Sequence, residues 1–364
     1  MNIEYRNQTG FKTFFERVNG KTVAVMYDVN TKPFAEKIIN QLKDNSTPVL
    51  DVYYPDVELV PSEDKCEYAF NIAKKADYVL AVGSGTLNDM AKSVATRLNI
   101  ESGVLATAPS MDGYCSAGAA LMRGGVKVTD TVNTPSDILI DLDIVCHAPR
   151  IMTAAGFGDI VGKYTCLTDW KMANAVNGEE INQKAFTMME EALNSCVGAY
   201  DQLTTYSPDA VAKLMNALVV AGLSMAECGN SRPASGSEHH ISHFLEMDFV
   251  RRGEKIPMHG IKVAIGCMIS IEIYNYILEN KIQFNGCEKV YEYARQLPTV
   301  EKVKSMLEGM GCPTKFSEIG VRKETMEETI EKAYTVRDRF TVLTLANKLN
   351  LTEKIKPLIM AKYF

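Results

Sequence analysis

Little in this sequence points to a membrane, a nucleic acid or a disulfide framework. No apolar run approaches the roughly 20 residues that a spanning helix needs. The opening "MNIEYRNQTGFKTFFERVNG" is too polar for a signal peptide or an anchor. Nine cysteines stand singly along the chain without one C-x-x-C pair, the pattern of reduced thiols in a cytoplasmic setting. Positive charge is in the minority: the formal net charge is −6, and no basic stretch is denser than "FVRRGEK", which argues against a nucleic-acid partner. Internal repeats and low-complexity linkers are absent. The expectation is a cytoplasmic, soluble chain with no membrane and no nucleic-acid partner.

What remains is an ordinary globular composition, 46% hydrophobic and 23% charged, over 364 residues. That length exceeds what one core usually organises, so two domains are expected. Up to about residue 147, β-branched runs alternate with helical patterns. Strands are expected at 21–28, 47–54, 77–85, 102–110 and 136–145, with helices at 32–45, 64–76 and 87–99 between them. Alternation of this kind predicts a parallel sheet with helical crossovers, whose ligands bind at the carboxyl ends of the strands. Past "HAPRIMTAAGFGD" the period becomes helical throughout. "QKAFTMMEEALNSCVGAYDQL", "PDAVAKLMNALVVAGLSMAEC", "IKVAIGCMISIEIYNYILEN", "TVEKVKSMLEGMG", "ETMEETIEKAYTVRD" and "FTVLTLANKLN" all read as helices. The fold class is therefore α/β for residues 1–147 followed by an all-α domain, 148–364, and the cleft expected between such domains is a favoured place for a site.

Two patterns carry chemistry. In "AVGSGTLNDMAK", Gly83 and Gly85 lie between a strand and a helix, where glycines let a backbone approach a pyrophosphate and the helix N-terminus offers free N–H groups. The third glycine of the dinucleotide fingerprint is replaced by Asn88, so a plain tight turn explains the spacing equally well. Asp28 ends the first expected strand, where an acid can bind a ribose 2′-hydroxyl, or simply make a turn. The second pattern is "SGSEHHISHF". The chain has five histidines, and four of them, His239, His240, His243 and His259, fall between 239 and 259. Neutral imidazole is the commonest metal ligand. His239 and His243 share a helix face, whereas His240 points about 100° away. Asp159 in "AAGFGDIVGKY" is the oxygen candidate for a site of three ligands and an open position. Spacing alone leaves open which of the clustered histidines bind. No H-E-x-x-H pattern is present, which argues against a metalloprotease.

These segments, with "TAPSMDGYCSAGAAL", "SRPASGSEHHISHF", "MHGIKVAIG" and "LEGMGCPTKFSEIGV", resemble in content and order the iron-containing alcohol dehydrogenase and dehydroquinate synthase superfamily. "RPASGSEH" is close to specific for its glycerol-phosphate branch. The resemblance implies a Rossmann-like N-terminal domain before a helical one. It implies contacts to NAD, or NADP, at Gly83, Ser84, Gly85, Thr86, Leu87, Thr107, Ala108, Pro109, Ser110 and Ser116. A divalent metal would be held by Asp159, His239 and His259, with Asp112 and His243 beside the substrate. Zinc is the expected ion, since it accepts imidazole and carboxylate, as nickel and ferrous iron also do. The implied reaction is reduction of dihydroxyacetone phosphate, with another polyol phosphate, glycerol, or a dehydroquinate synthase-like cyclisation as alternatives. On chemistry alone Arg232, Lys163 and Ser235 are candidates for the substrate phosphate. Lys163 also stands where some relatives in the superfamily carry a fourth metal ligand, and His240 where an aliphatic residue is more usual. A homodimer or higher homo-oligomer is expected, dimers being the commonest assembly.

Overall fold

A computed structural model describes residues 1–6, 8 and 10–364. The chain divides into two compact units, Met1–Pro149 and Arg150–Phe364. In the first, β1 (Asn2–Tyr5), β2 (Val23–Asp28), β3 (Val49–Tyr54), β4 (Tyr78–Gly83), β5 (Glu101–Ala106) and β8 (Asp137–Ile140) form one parallel sheet in the order β1-β8-β5-β4-β2-β3. Side chains alternate across a strand. One sheet face therefore sends Val25, Leu80, Leu105 and Leu139 against Phe14 and the helix Lys32–Asp44, through Ala35, Ile38 and Leu42. Every residue of β4 is buried, as a central parallel strand covered on both faces must be.

The chain leaves β2 toward β3 and leaves β4 toward β5 on the opposite side. The adjacent carboxyl ends of β2 and β4 are therefore the switch point of the sheet, where open α/β sheets bind ligands. Two elements lie outside the expected alternation: the edge strand β1, and an antiparallel hairpin of β6 (Gly118–Arg123) and β7 (Val126–Thr131). The hairpin turns on Gly124 and Gly125, with φ of +58° and +75°, a region glycine enters without a Cβ penalty. The strand expected at 136–145 stops at Ile140, because the Asp141 side chain caps a short helix, Leu142–Val145, by accepting from the Asp143 N–H.

The second unit is helical. Contrary to the expectation of no such stretch, its helices Pro208–Cys228 and His259–Glu279 are long and apolar enough to cross a bilayer by length and composition. Half of the apolar window of the first and 78% of that of the second are buried inside the protein. Gly260 sets how closely His259–Glu279 meets Arg150–Val161: a Cβ there would lie 1.8 Å from the Ala155 carbonyl oxygen. Gly266 does the same toward Glu238 on the helix Ser237–Arg252, where a Cβ would come within 2.7 Å of that residue's carbonyl oxygen. Three helices thus converge through side-chain-free positions. The helix expected over 324–338 is shorter: Lys323–Lys332 gives way to a single 3-10 turn, Ala333–Thr335. Residues 336–340 have no regular structure.

Candidate active site

The convergence of the three helices brings together Asp159, His239 and His259. One ligand atom from each lies within 4.8 Å of the others, and the first two residues are buried. This donor set, two imidazoles and a carboxylate, suits a divalent transition metal.

Both histidines have one ring nitrogen, Nδ1, directed at a carboxylate. His239 Nδ1 is 2.8 Å from Glu238 Oε1, and His259 Nδ1 is 3.5 Å from Glu246 Oε1. Burial first, then the Lys163 ammonium, pushes the His239 pKa far below its ordinary value, so its ring is neutral. With Nδ1–H donating to Glu238, Nε2 presents its lone pair, 3.8 Å from Asp159 Oδ1. Glu238 is fixed in turn by the Gly236 N–H (2.6 Å) and the Thr165 hydroxyl (2.8 Å). Burial, reinforced by the neighbouring Asp169 carboxylate, pushes Glu238 up to about 7. Asp169 accepts the Ser237 N–H at 2.7 Å, which fixes where the helix carrying His239, His240 and His243 begins. Glu238 and Glu246 were not among the residues expected at the site, although Glu246, three positions after His243, shares its helix face.

His243 is held at both ring nitrogens. Nδ1 lies 3.2 Å from Glu246 Oε2, and Nε2 accepts from Arg337 Nη2 at 3.3 Å. Its ring centroid is 6.1 Å from that of His239 and 5.7 Å from that of His259. Burial pushes its pKa down to about 4 against the pull of Glu246. His240 is fully buried, and neither ring nitrogen has a hydrogen-bond partner among the described residues. Burial, then Arg339 and Arg337, takes it down to about 3.

Two of the three phosphate candidates are otherwise engaged. Lys163 Nζ donates to Asp159 Oδ1 (2.8 Å) and the Ala234 carbonyl (2.9 Å). Arg232 is paired with Glu179 at 2.7 Å. Ser235 Oγ is buried without a partner among the described residues.

In the first unit, Gly83 closes β4 and the helix Gly85–Leu98 follows Ser84 directly. The first-turn N–H groups of Gly85, Thr86 and Leu87 therefore open at the switch point. A Cβ on Gly83 would lie 2.4 Å from Leu87 Cδ1, so a side chain there would have to displace Leu87. Thr107, Ala108, Pro109 and Ser110 follow β5, with the Thr107 N–H donating to the Gly83 carbonyl at 3.1 Å. Asn88, the break in the glycine fingerprint, donates to the Tyr114 carbonyl at 3.3 Å. Lys92 Nζ reaches the carbonyls of Gly113 (3.2 Å) and Gly118 (2.6 Å) and Ser116 Oγ (3.4 Å). The helix thus holds the segment that contains Asp112, which is itself buried. Asp28 uses Oδ1 as a turn acceptor for the N–H groups of Asn30 and Thr31, both at 2.9 Å. No hydrogen bond among the described residues uses Oδ2. The geometry fits a nucleotide: free N–H groups at a helix start, beside a carboxylate with one oxygen to spare.

Residues 6–149 match the sequence model of a family described as iron-containing alcohol dehydrogenase. A Bacillus licheniformis protein named glycerol-1-phosphate dehydrogenase (NAD(P)+) is 34% identical over 346 residues, 93% of this chain and 86% of the relative. Its namesake in Bacillus subtilis is 31% identical, covering 92% of this chain and 87% of its own. Among solved structures, an iron-containing alcohol dehydrogenase from Thermococcus thioreducens superposes with a TM-score of 0.74 at 17% identity, covering 100% of this chain and 98% of its own. A probable glycerol dehydrogenase from Sinorhizobium meliloti gives 0.71 at 16% identity, covering 99% and 96%. With its parallel sheet, its helical second unit and relatives above 30% identity over nine-tenths of its length, the chain belongs to the iron-containing alcohol dehydrogenase family, alongside members named glycerol-1-phosphate dehydrogenase.

Proposed function

We propose that the chain interconverts dihydroxyacetone phosphate and sn-glycerol 1-phosphate, using NAD(P) and one divalent ion, zinc by preference. The observation that carries this reading is the meeting of Asp159, His239 and His259 within 4.8 Å, in a chain 34% identical to a relative of that name. When bound, the ion polarises a carbonyl as a Lewis acid and the nicotinamide carries the hydride. The remaining work belongs to the chain's own side chains. Glu238 and Glu246 orient the two ligand imidazoles, so that each can turn its other ring nitrogen toward the ion. His243 relays the proton of the substrate hydroxyl through a water or a hydroxyl, with Glu246 fixing its ring. Asp112 hydrogen-bonds a second substrate hydroxyl. Gly83 to Leu87, Thr107 to Ser110 and Ser116 bind the nucleotide. Asp28 faces the adenosine ribose, an arrangement that favours NADH over NADPH by repelling a 2′-phosphate. The unpaired cysteines, all nine free in the structure, fit a cytoplasmic enzyme.

A purified-enzyme panel tests the reading. Dihydroxyacetone phosphate, dihydroxyacetone and other polyol phosphates are offered with NADH or NADPH and defined divalent ions. Dihydroxyacetone phosphate should give the highest kcat/KM, with NADH consumed one for one. A higher value for another polyol phosphate or for dihydroxyacetone would replace the substrate, and turnover without net change in NADH would replace the reaction with a cyclisation.

A further inference from the structure

The segment 336–340, which leaves the helical pattern, lies across the start of the histidine helix. Arg337 Nη1 and Arg339 Nη2 both donate to Ser231 Oγ, at 2.9 and 3.1 Å. Arg339 Nη1 also donates to the Ser235 carbonyl at 2.6 Å, and Arg337 Nη2 to His243 Nε2. Among the described residues neither guanidinium forms an ion pair with a carboxylate. The acids whose fields reach them are committed elsewhere: Glu246 to Lys262 and the two histidines, Glu179 to Arg232. Both arginines are half-buried, as is Ser231. Two adjacent cations so placed repel one another and are partly desolvated, an arrangement that costs stability unless an anion completes it. Around them lie donors without partners among the described residues: Ser235 Oγ, Arg232 Nη1 and the ring of His240.

We propose that Arg337, Arg339 and Ser231 form the subsite for the phosphate group of the substrate, a phosphate monoester dianion. The inference rests on the reading of the chain as a polyol-phosphate dehydrogenase and adds the residues that make it select the phosphorylated form. Guanidinium groups match a phosphate's oxygens through paired N–H donors, and two of them balance its double charge. The location agrees with the chemistry. Arg337 touches His243, which lies one imidazole away from the metal ligands. A three-carbon substrate held at its phosphate here can present its carbonyl to Asp159, His239 and His259. Lys163 and Arg232 are each neutralised by an acid of their own and serve structure.

The test compares wild type with Arg339→Gln, Arg337→Gln and Arg339→Lys, each checked for folding by thermal melting. Two quantities are read. The first is the ratio of kcat/KM for dihydroxyacetone phosphate to that for dihydroxyacetone; the second is the calorimetric affinity for inorganic phosphate. Each Gln variant should lower the ratio by about 10- to 100-fold, the scale of a charge-assisted hydrogen bond, and weaken phosphate binding in parallel. Arg339→Lys should recover part of both, since it keeps the charge and loses the fork. If both substrates lose kcat/KM equally and phosphate binds as before, the arginines only support the fold and the proposal fails. If the wild type reduces neither substrate yet binds phosphate through these residues, the subsite stands and the assigned reaction falls.

Discussion

His243 can be asked directly whether it holds metal or moves a proton. Its two ring nitrogens face Glu246 and Arg337, so neither is free for an ion in this arrangement. His243→Ala should therefore keep its metal and lose turnover by about 10²–10⁴-fold. Metal content measured beside turnover would refute the relay if both fell together. His240 tests the opposite property, the cost of a buried ring with nothing to bond. His240→Leu removes two unsatisfied nitrogens and should stabilise the fold by about 1 kcal/mol. The pH dependence follows from the same ring. An unfolded histidine takes up a proton below about pH 6.5, whereas the buried one resists until about 3. The unfolded state then binds more protons across that window, so stability falls as pH falls through it. Denaturant melts from pH 7 to pH 4 should show a shallower decline for His240→Leu than for wild type. An equal decline would mean that the ring titrates normally in the folded protein.

At the level of helices and strands, the site depends on approach distances that glycine permits. Gly260→Ala would drive a methyl group into the Ala155 carbonyl, separating the helix of His259 from that of Asp159. It should cost about 1–3 kcal/mol and weaken metal binding, read by melting and by chelator competition. Gly198→Ala is the control: nothing lies within 4 Å of that Cβ, and the melt should be unchanged or slightly raised. Elements of this kind differ in how far sequence reveals them. The βα alternation announces itself by its periods and the four histidines by their grouping, whereas the two long helices read as helices without their apolar length being recognised. The hairpin of β6 and β7 carried a readable signal, Gly124–Gly125 between alternating runs. β1 is only four residues long and carries little pattern of its own. Arg337 and Arg339 were hidden for a different reason. In a helical reading, charges near a helix end look like a solvated face; their lack of acidic partners exists only in three dimensions. Glu238 adjoins His239 in the sequence, but only the folded chain shows its carboxylate at the ring nitrogen of that neighbour.

For the whole molecule, removal of metal is the decisive perturbation. A chelator should abolish dehydrogenase activity, and a divalent ion added back should restore it, because three protein ligands leave the fourth position for substrate. Full activity in a demonstrably metal-free preparation would remove the metal from the chemistry. One further consequence follows from the early end of the helix at Lys332. The donor atoms that converge on an ion come from three helices, whereas Arg337 and Arg339 sit on a short irregular stretch about eighty residues downstream of the last of those donors. The taste for a charged tail and the apparatus for reaction are thus written largely in separate passages of the gene, which meet at the reacting groups where Arg337 touches His243. A lineage could exchange the first passage, or a protein engineer recode it, and inherit a dehydrogenase for uncharged polyols without rebuilding the second.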